Sequence, residues 1–236
     1  MIDIAPRQLE NAVAAICPDI AARVERCRRE PNERRLWWDL SCCVLSSQVP
    51  YPLAVAAADV IDRQDVLLGE ASQTTALASG IARILSEPLQ VDGRLRRYRF
   101  PTARAQHLAK TRVAVTRSAG NLQNLLRILG DAPKARSWFV ANAPGLGPKQ
   151  ASMFIRNTGV SYDLAVLDRH VLGYMAALGI GKETGHSISG LPRYRRQETL
   201  LKSYADRLGV RVGLMDWAIW IVMRVAQSPK SRHADS

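Results

Sequence analysis

The stretch that decides the reading is Pro144-Gly145-Leu146-Gly147-Pro148-Lys149, the head of PGLGPKQASMFIRNTG (144–159). Two glycines bracket one apolar residue between two helical patterns. Glycine permits positive φ and leaves no Cβ between the backbone and an approaching partner. Leu146 can dock the turn on a core. Pro148 suits the first turn of the next helix, where its missing N–H costs nothing. The result is a cluster of backbone N–H groups at a helix N-terminus, an anion site for which a DNA phosphate is the simplest occupant. A plain structural turn reads the same way in isolation. Nineteen residues after Lys149, Leu167-Asp168-Arg169-His170 opens another helix, with Asp168 at its cap or in its first turn, where a carboxylate is favoured. A cap alone accounts for Asp168 and a phosphate clamp alone for Lys149. Neither accounts for the pair.

The charge pattern points to the same place. The chain has 236 residues with 33 Lys+Arg, 21 Asp+Glu and a formal net charge of +12. Residues 1–92 hold 9 basic and 13 acidic side chains, and residues 163–236 hold 11 and 7. Residues 93–162 hold 13 basic side chains and one acid, Asp131, so the excess lies in the stretch that contains the hairpin. A basic segment of this kind predicts a polyanionic partner, most simply nucleic acid, against the alternative of a solvated basic face. With 47% apolar residues the chain can bury a core, so a disordered polycation is excluded. No 18-residue uncharged apolar run and no signal-like N-terminus occur, so no membrane partner is expected and a cytoplasmic location follows, nucleoid-associated in a bacterium or archaeon.

Outward from the hairpin the pattern is helical throughout. Leu9, Val13, Ile16, Ile20, Val24 and Cys27 form one apolar stripe. Helices are predicted over 36–47, from Pro52 to about Ile61, 71–86, 101–118, 122–129 behind the cap Asn121, 133–142, 148–158, 168–178 and 193–208. The last segment, VGLMDWAIWIVMRVA (212–226), is apolar almost all round and predicts burial between neighbours. No period-2 strand run and no repeat is evident; 181–190 reads as a loop and the tail after Gln227 as frayed. The four cysteines, Cys17, Cys27, Cys42 and Cys43, fit no zinc spacing, and the four histidines are scattered, so no metal is expected. Reduced thiols are expected, with Cys17 and Cys27 packed on apolar faces.

On the hairpin, the lysine and the aspartate, the chain resembles the helix-hairpin-helix, Gly-Pro-Asp superfamily of base-excision DNA glycosylases. The stretches VLSSQ (44–48), YRFPTARAQHLAKTR (98–112) and MDWAIW (215–220) resemble its archaeal-type 8-oxoguanine DNA glycosylase branch, and the likeness runs in order from about residue 36 to 226. The resemblance implies an all-α fold of two lobes with DNA in the cleft between them: a discontinuous lobe of 1–35 and 163–236, and a middle lobe of 36–162. It implies a bifunctional glycosylase/AP lyase, because relatives without lyase activity usually carry another residue at the place of Lys149. It implies a damaged base in double-stranded DNA as substrate, a purine and first of all 8-oxoguanine, no cofactor, and a monomer. The iron–sulfur branch is set aside, since its members carry four cysteines after the aspartate helix and this chain has none beyond Cys43.

The same resemblance assigns candidate roles. Lys149 and Asp168 are the catalytic pair. Gly145 and Gly147 with Arg96, Arg97, Arg99 and Arg104 are candidate phosphate contacts; Arg94, Lys110 and Arg112 lie in the same basic run. Gln48 is either a polar residue at a helix end or a filler of the gap left by a flipped base. Phe100 is either core or an aromatic beside DNA. Trp220 either packs in the core or stacks on the flipped base. Asp216 accepts from a base N–H, faces solvent or pairs with an arginine. One departure concerns the C-terminus: the archaeal-type enzymes end with a lysine soon after the last helix and read the oxidised guanine with its carboxylate, whereas here Lys230 is followed by six more residues. That leaves a glycosylase for another modified base, for example in defence against foreign DNA, as the alternative, and a non-catalytic helix-hairpin-helix DNA-binding module as the reading from a different class.

Overall fold

A computed structural model of the chain describes residues 4–27, 32–69, 73–181 and 188–226. Most of the expected loop at 181–190, and the tail with Lys230, lie outside those residues. The chain divides into two compact units, Met1–Arg29 with Gly159–Ser236, and Glu30–Thr158. Asn32 caps the next helix by accepting from Arg35 N at 2.8 Å. Glu33 then accepts from the amides of Leu122 and Gln123 at 2.8 and 3.0 Å, which binds the helix start to the second unit.

The first unit contains α1 (Pro6–Arg26), and the second contains α2 (Glu33–Leu45), α3 (Tyr51–Arg63), α4 (Thr74–Ser86), β1 (Leu89–Val91), β2 (Arg94–Arg96), α5 (Pro101–Ala119), α6 (Leu122–Leu129), α7 (Ala132–Asn142) and α8 (Pro148–Asn157). The chain then returns to the first unit with α9 (Arg169–Ala177), α10 (Leu191–Arg207) and α11 (Val212–Ala226). Eleven helices among the described residues make the protein all-α in class.

The exception is a two-stranded antiparallel hairpin that the alternation rule did not find. Leu89 pairs with Arg96, Gln90 with Leu95 and Val91 with Arg94. The connection is Asp92-Gly93, at φ +49° and +76°. Two positive φ values in a two-residue loop match the twist of the strands they join, which is why Asp-Gly is a preferred hairpin pair. Each strand is three residues long and β2 is exposed along its length, so no apolar alternation exists to be read.

In the first unit the apolar stripe of α1 turns Leu9, Val13, Cys17 and Ile20 inward, with Ile16 and Val24 partly covered. These pack with α9 and α10 around α11, whose Leu214, Met215, Ala218, Ile219, Val222 and Met223 are buried. Burial of α11 on several sides is what its near-uniform apolarity predicts. Cys27 does not belong to this core. It follows the last helical residue and is exposed, whereas Cys17, Cys42 and Cys43 are buried. In the second unit α2 is buried from Leu36 to Leu45 apart from Trp38, and packs against α3, α5, α6 and α8. Helices α7 and α8 join through Phe139 and Phe154, whose rings meet edge to face at 5.0 Å.

Candidate functional site

The helix-hairpin-helix turn is built from α7, residues 143–147 and α8. Ala143 ends α7, Leu146 N donates to Ala143 O at 3.1 Å, and the Leu146 side chain is buried. Gly145 has φ +86°, and a Cβ there would lie 2.5 Å from His107 Nδ1 and 3.3 Å from Arg104. Gly147 does different work. Its φ is −78° and its ψ 177°, so it is the extended N-cap of α8 and does not use the left-handed region. The expectation of positive φ therefore holds for Gly145 alone. The amides of Gly145, Gly147, Lys149 and Gln150 have no backbone partner among the described residues, and no side chain caps α8. Unpaired N–H groups at a helix start carry the partial positive charge that attracts an anion.

Lys149 stands in the first turn of α8, half-buried, and its amine makes no hydrogen bond or ion pair among the described residues. Helix α8 lies against α2, where the fully buried Cys43 thiol is pushed far up by burial, with Arg156 and Lys149 as opposing positive neighbours. Asp168 belongs to the other unit. It is the N-cap of α9: its Oδ1 accepts from His170 N at 2.8 Å and Val171 N at 2.9 Å. Its second oxygen has no hydrogen-bond partner among the described residues, and the side chain is half-buried. One carboxylate thus anchors a helix with one oxygen and keeps the other available.

The basic run divides into two kinds of residue. Arg94, Arg96, Arg97 and Arg99 are exposed on and after β2, as is Lys110 on α5. Arg104 and Arg112 also bond within the protein. Arg112 Nε donates to Leu67 O at 2.7 Å and its NH2 group to Gly69 O, which ties α5 to the turn after α3. Arg104 donates to Ser47 O at 3.1 Å and meets His107 Nδ1 at 3.2 Å. It also lies over the Phe100 ring at 5.6 Å, with Arg99 over the same ring at 4.9 Å. Phe100 is therefore half-exposed between two guanidinium groups at the start of α5, outside the core. Tyr98 is the core aromatic of this segment, donating to Leu45 O at 2.7 Å, and burial pushes its hydroxyl up to about 12.

These bonds hold the turn after α2, which presents Gln48. Gln48 is exposed at φ +61°, a backbone region that costs a non-glycine residue energy. It is two residues past the helix cap, so a simple helix-end role does not describe it. Ser47, Phe100, Arg104, His107 and Gly145 are thereby linked in one cluster, and Gln48 follows Ser47 in the chain. His107 and Ser47 were not singled out from sequence; the i,i+3 spacing of Arg104 and His107 was the available signal.

In the first unit Trp220 stands outside the apolar cluster. It is half-buried, edge to face with His170 at 6.5 Å, and Arg224 lies over its ring at 4.9 Å. Asp216 is 1% exposed, and its Oδ2 accepts from Val166 N at 2.6 Å. It neither faces solvent nor stands open at the surface. Among the described residues no group of three or more His, Cys, Asp or Glu could hold a metal ion, and no helix is long and apolar enough to cross a membrane.

A family model described as 8-oxoguanine DNA glycosylase, of the helix-hairpin-helix type, matches residues 20–210. The chain belongs to this family. Within the 8-oxoguanine DNA glycosylase family it is 31% identical over 221 residues to the 8-oxoguanine DNA glycosylase/AP lyase of Thermotoga petrophila, covering 92% of this chain and 95% of the relative. It is 30% identical over 191 residues to that of Sulfurisphaera tokodaii, covering 80% and 82%. The crystal structure of the Thermotoga maritima 8-oxoguanine DNA glycosylase superposes with a TM-score of 0.68 at 30% identity, over 92% of this chain and 94% of the other. The Methanocaldococcus jannaschii 8-oxoguanine glycosylase/lyase, solved with a 15mer DNA containing 8-oxoguanine, has a TM-score of 0.67 at 21% identity and shares the fold, over 92% and 93% of the two chains.

Proposed function

We propose that this chain is a bifunctional DNA glycosylase/AP lyase that excises 8-oxoguanine from double-stranded DNA in base excision repair. The observation that carries the reading is Lys149, an amine without a partner among the described residues, placed directly after the glycine hairpin in a chain that falls within the family along most of its length. The chemistry needs the target nucleotide out of the stack so that C1′ is exposed. The unprotonated Lys149 amine donates its lone pair to C1′. The glycosidic C–N bond breaks, its electrons leave with the base, and the base takes up a proton. The sugar ring opens to a Schiff base on Lys149. Loss of a proton from C2′ then expels the 3′ phosphate by β-elimination and nicks the strand. Asp168 stabilises the positive charge that develops at C1′ and handles protons through the oxygen that its cap leaves open. No cofactor enters these steps, and the working form is a monomer.

Gly145 and Gly147 with the first amides of α8 receive a phosphate, as do Arg96, Arg97 and Arg99. Gln48 and Phe100 stand where the duplex is opened. Trp220 offers the ring face not covered by Arg224 to the base. A nicking assay on duplexes bearing 8-oxoguanine, uracil, thymine glycol or an abasic site, with borohydride trapping, tests the reading. Trapping and nicking on 8-oxoguanine are expected, and both disappear in Lys149→Ala while DNA binding stays. Nicking confined to another modified base would favour the second glycosylase reading, and binding without a nick or adduct would leave only a DNA-binding module.

A further inference from the structure

The chain reaches Asp168 through a non-helical run after α8, and the last part of that run is held in an unusual way. Three consecutive backbone amides are taken by three buried side chains from two other helices. Ala165 N donates to Glu198 Oε1 at 2.9 Å, Val166 N to Asp216 Oδ2 at 2.6 Å, and Leu167 N to Tyr194 Oη at 2.9 Å. Tyr194 Oη returns a hydrogen bond to Ala165 O at 2.8 Å. Tyr194 and Asp216 are each 1% exposed and Glu198 7%. Helix α11 lies flat on the same run: Gly213 N donates to Tyr162 O at 2.8 Å, and a Cβ on Gly213 would stand 2.8 Å from that oxygen and 3.0 Å from Leu164 O.

Buried amides outside helix or sheet must find partners, so some acceptors are required here. Using two carboxylates is an expensive solution, because each is removed from water. The cost is intelligible if placement matters. Val166 is gripped twice, its N–H by Asp216 and its carbonyl by Asp168 N at 2.9 Å. A shift of Val166 therefore passes through one hydrogen bond to Asp168. We infer that Glu198, Asp216 and Tyr194 are positioning residues that set where the open oxygen of Asp168 stands, and that Asp216 serves the reaction through the backbone of Val166 without contacting the base. This rests on the reading of Asp168 as the reaction's carboxylate.

Single-turnover excision and Kd for an 8-oxoguanine duplex, measured beside thermal melting, test it. Tyr194→Phe removes the hydroxyl from two of the bonds and keeps the ring. Asp216→Leu removes the acceptor for Val166, and Asp216→Asn restores one. Tyr194→Phe and Asp216→Leu are expected to lower the excision rate about tenfold or more with Kd within about twofold, as displacement of a group acting in the transition state requires. Asp216→Asn is expected to recover most of the rate. If Asp216→Leu does not fold, Tyr194→Phe decides. Folded variants that excise at the wild-type rate, or lose rate and affinity in proportion, overturn the inference, as does an Asp216→Asn protein no faster than Asp216→Leu. Full activity in Asp168→Asn would overturn the role of Asp168 and this inference with it; loss in Asp168→Asn with full rate in the three positioning variants overturns this inference alone.

Discussion

Gly145 sits where two constraints meet, a left-handed backbone and a histidine ring in the place of a side chain. Gly145→Ala meets both, and is expected to destabilise the protein by about 1–2 kcal/mol, read as a lower melting temperature, with weaker DNA binding. Gly147→Ala meets neither a positive φ nor a close backbone atom, so its effect on melting is expected to be the smaller. The pair was legible as a hairpin, but which glycine needed the left-handed region was not, because that depends on where α5 places His107. Asp168 allows a similar separation of roles. Asparagine caps a helix as well as aspartate does, whereas alanine loses about 1 kcal/mol. Asp168→Asn should therefore melt near wild type and lose excision, and Asp168→Ala should lose both. His107 carries a pH dependence. Arg104 can only donate, so His107 Nδ1 accepts and the ring is neutral; burial first, then Arg104 and Lys110, hold it below its ordinary value of 6.5. As pH falls through 6.5 the unfolded chain takes up this proton before the folded one does, so stability is full above that pH and falls below it. The difference in melting temperature between wild type and His107→Gln should shift against wild type from pH 7 to pH 5; no change in that difference would refute the assignment.

At the scale of elements, the helices were readable because their punctuation is chemical. Asn121 caps α6 and Asp131 caps α7 by accepting from Asn124 N and Lys134 N. Proline opens α1, α5 and α8 at their first position. The hairpin was not readable, since three-residue strands exposed on β2 carry no periodicity and only Asp92-Gly93 marked it. Arginine function was equally hidden. Arg104 and Arg112 belong to the same run as Arg96 and Arg97, and only the fold shows that their guanidinium groups also bond the carbonyls of Ser47, Leu67 and Gly69. The two groups should respond differently. Arg96→Gln with Arg97→Gln should weaken binding to all duplexes and flatten the salt dependence by about one unit for each phosphate left without its guanidinium. Arg104→Gln should instead lower melting temperature and excision, because it frees the turn that carries Gln48.

Across the whole molecule the basic excess has one address. Residues 93–162 fall in the second unit but for their last four, with the exposed hairpin at one end and α8 at the other. That surface could be located from sequence because charge needs no fold to be counted. The three side chains that hold 165–167 could not, since hydrogen bonds spanning 27 to 50 residues leave no local pattern. The cysteines bear on how the protein survives its surroundings. Cys17, Cys42 and Cys43 are buried, and burial pushes each thiol up, so they stay protonated. Peroxide and alkylating agents attack the thiolate, and an enclosed protonated thiol presents neither charge nor access. Maleimide should modify Cys27 alone in the native protein and all four cysteines in denaturant. Three of the four thiols are thus kept out of reach of an oxidant, and Cys27 is left as the one that meets it.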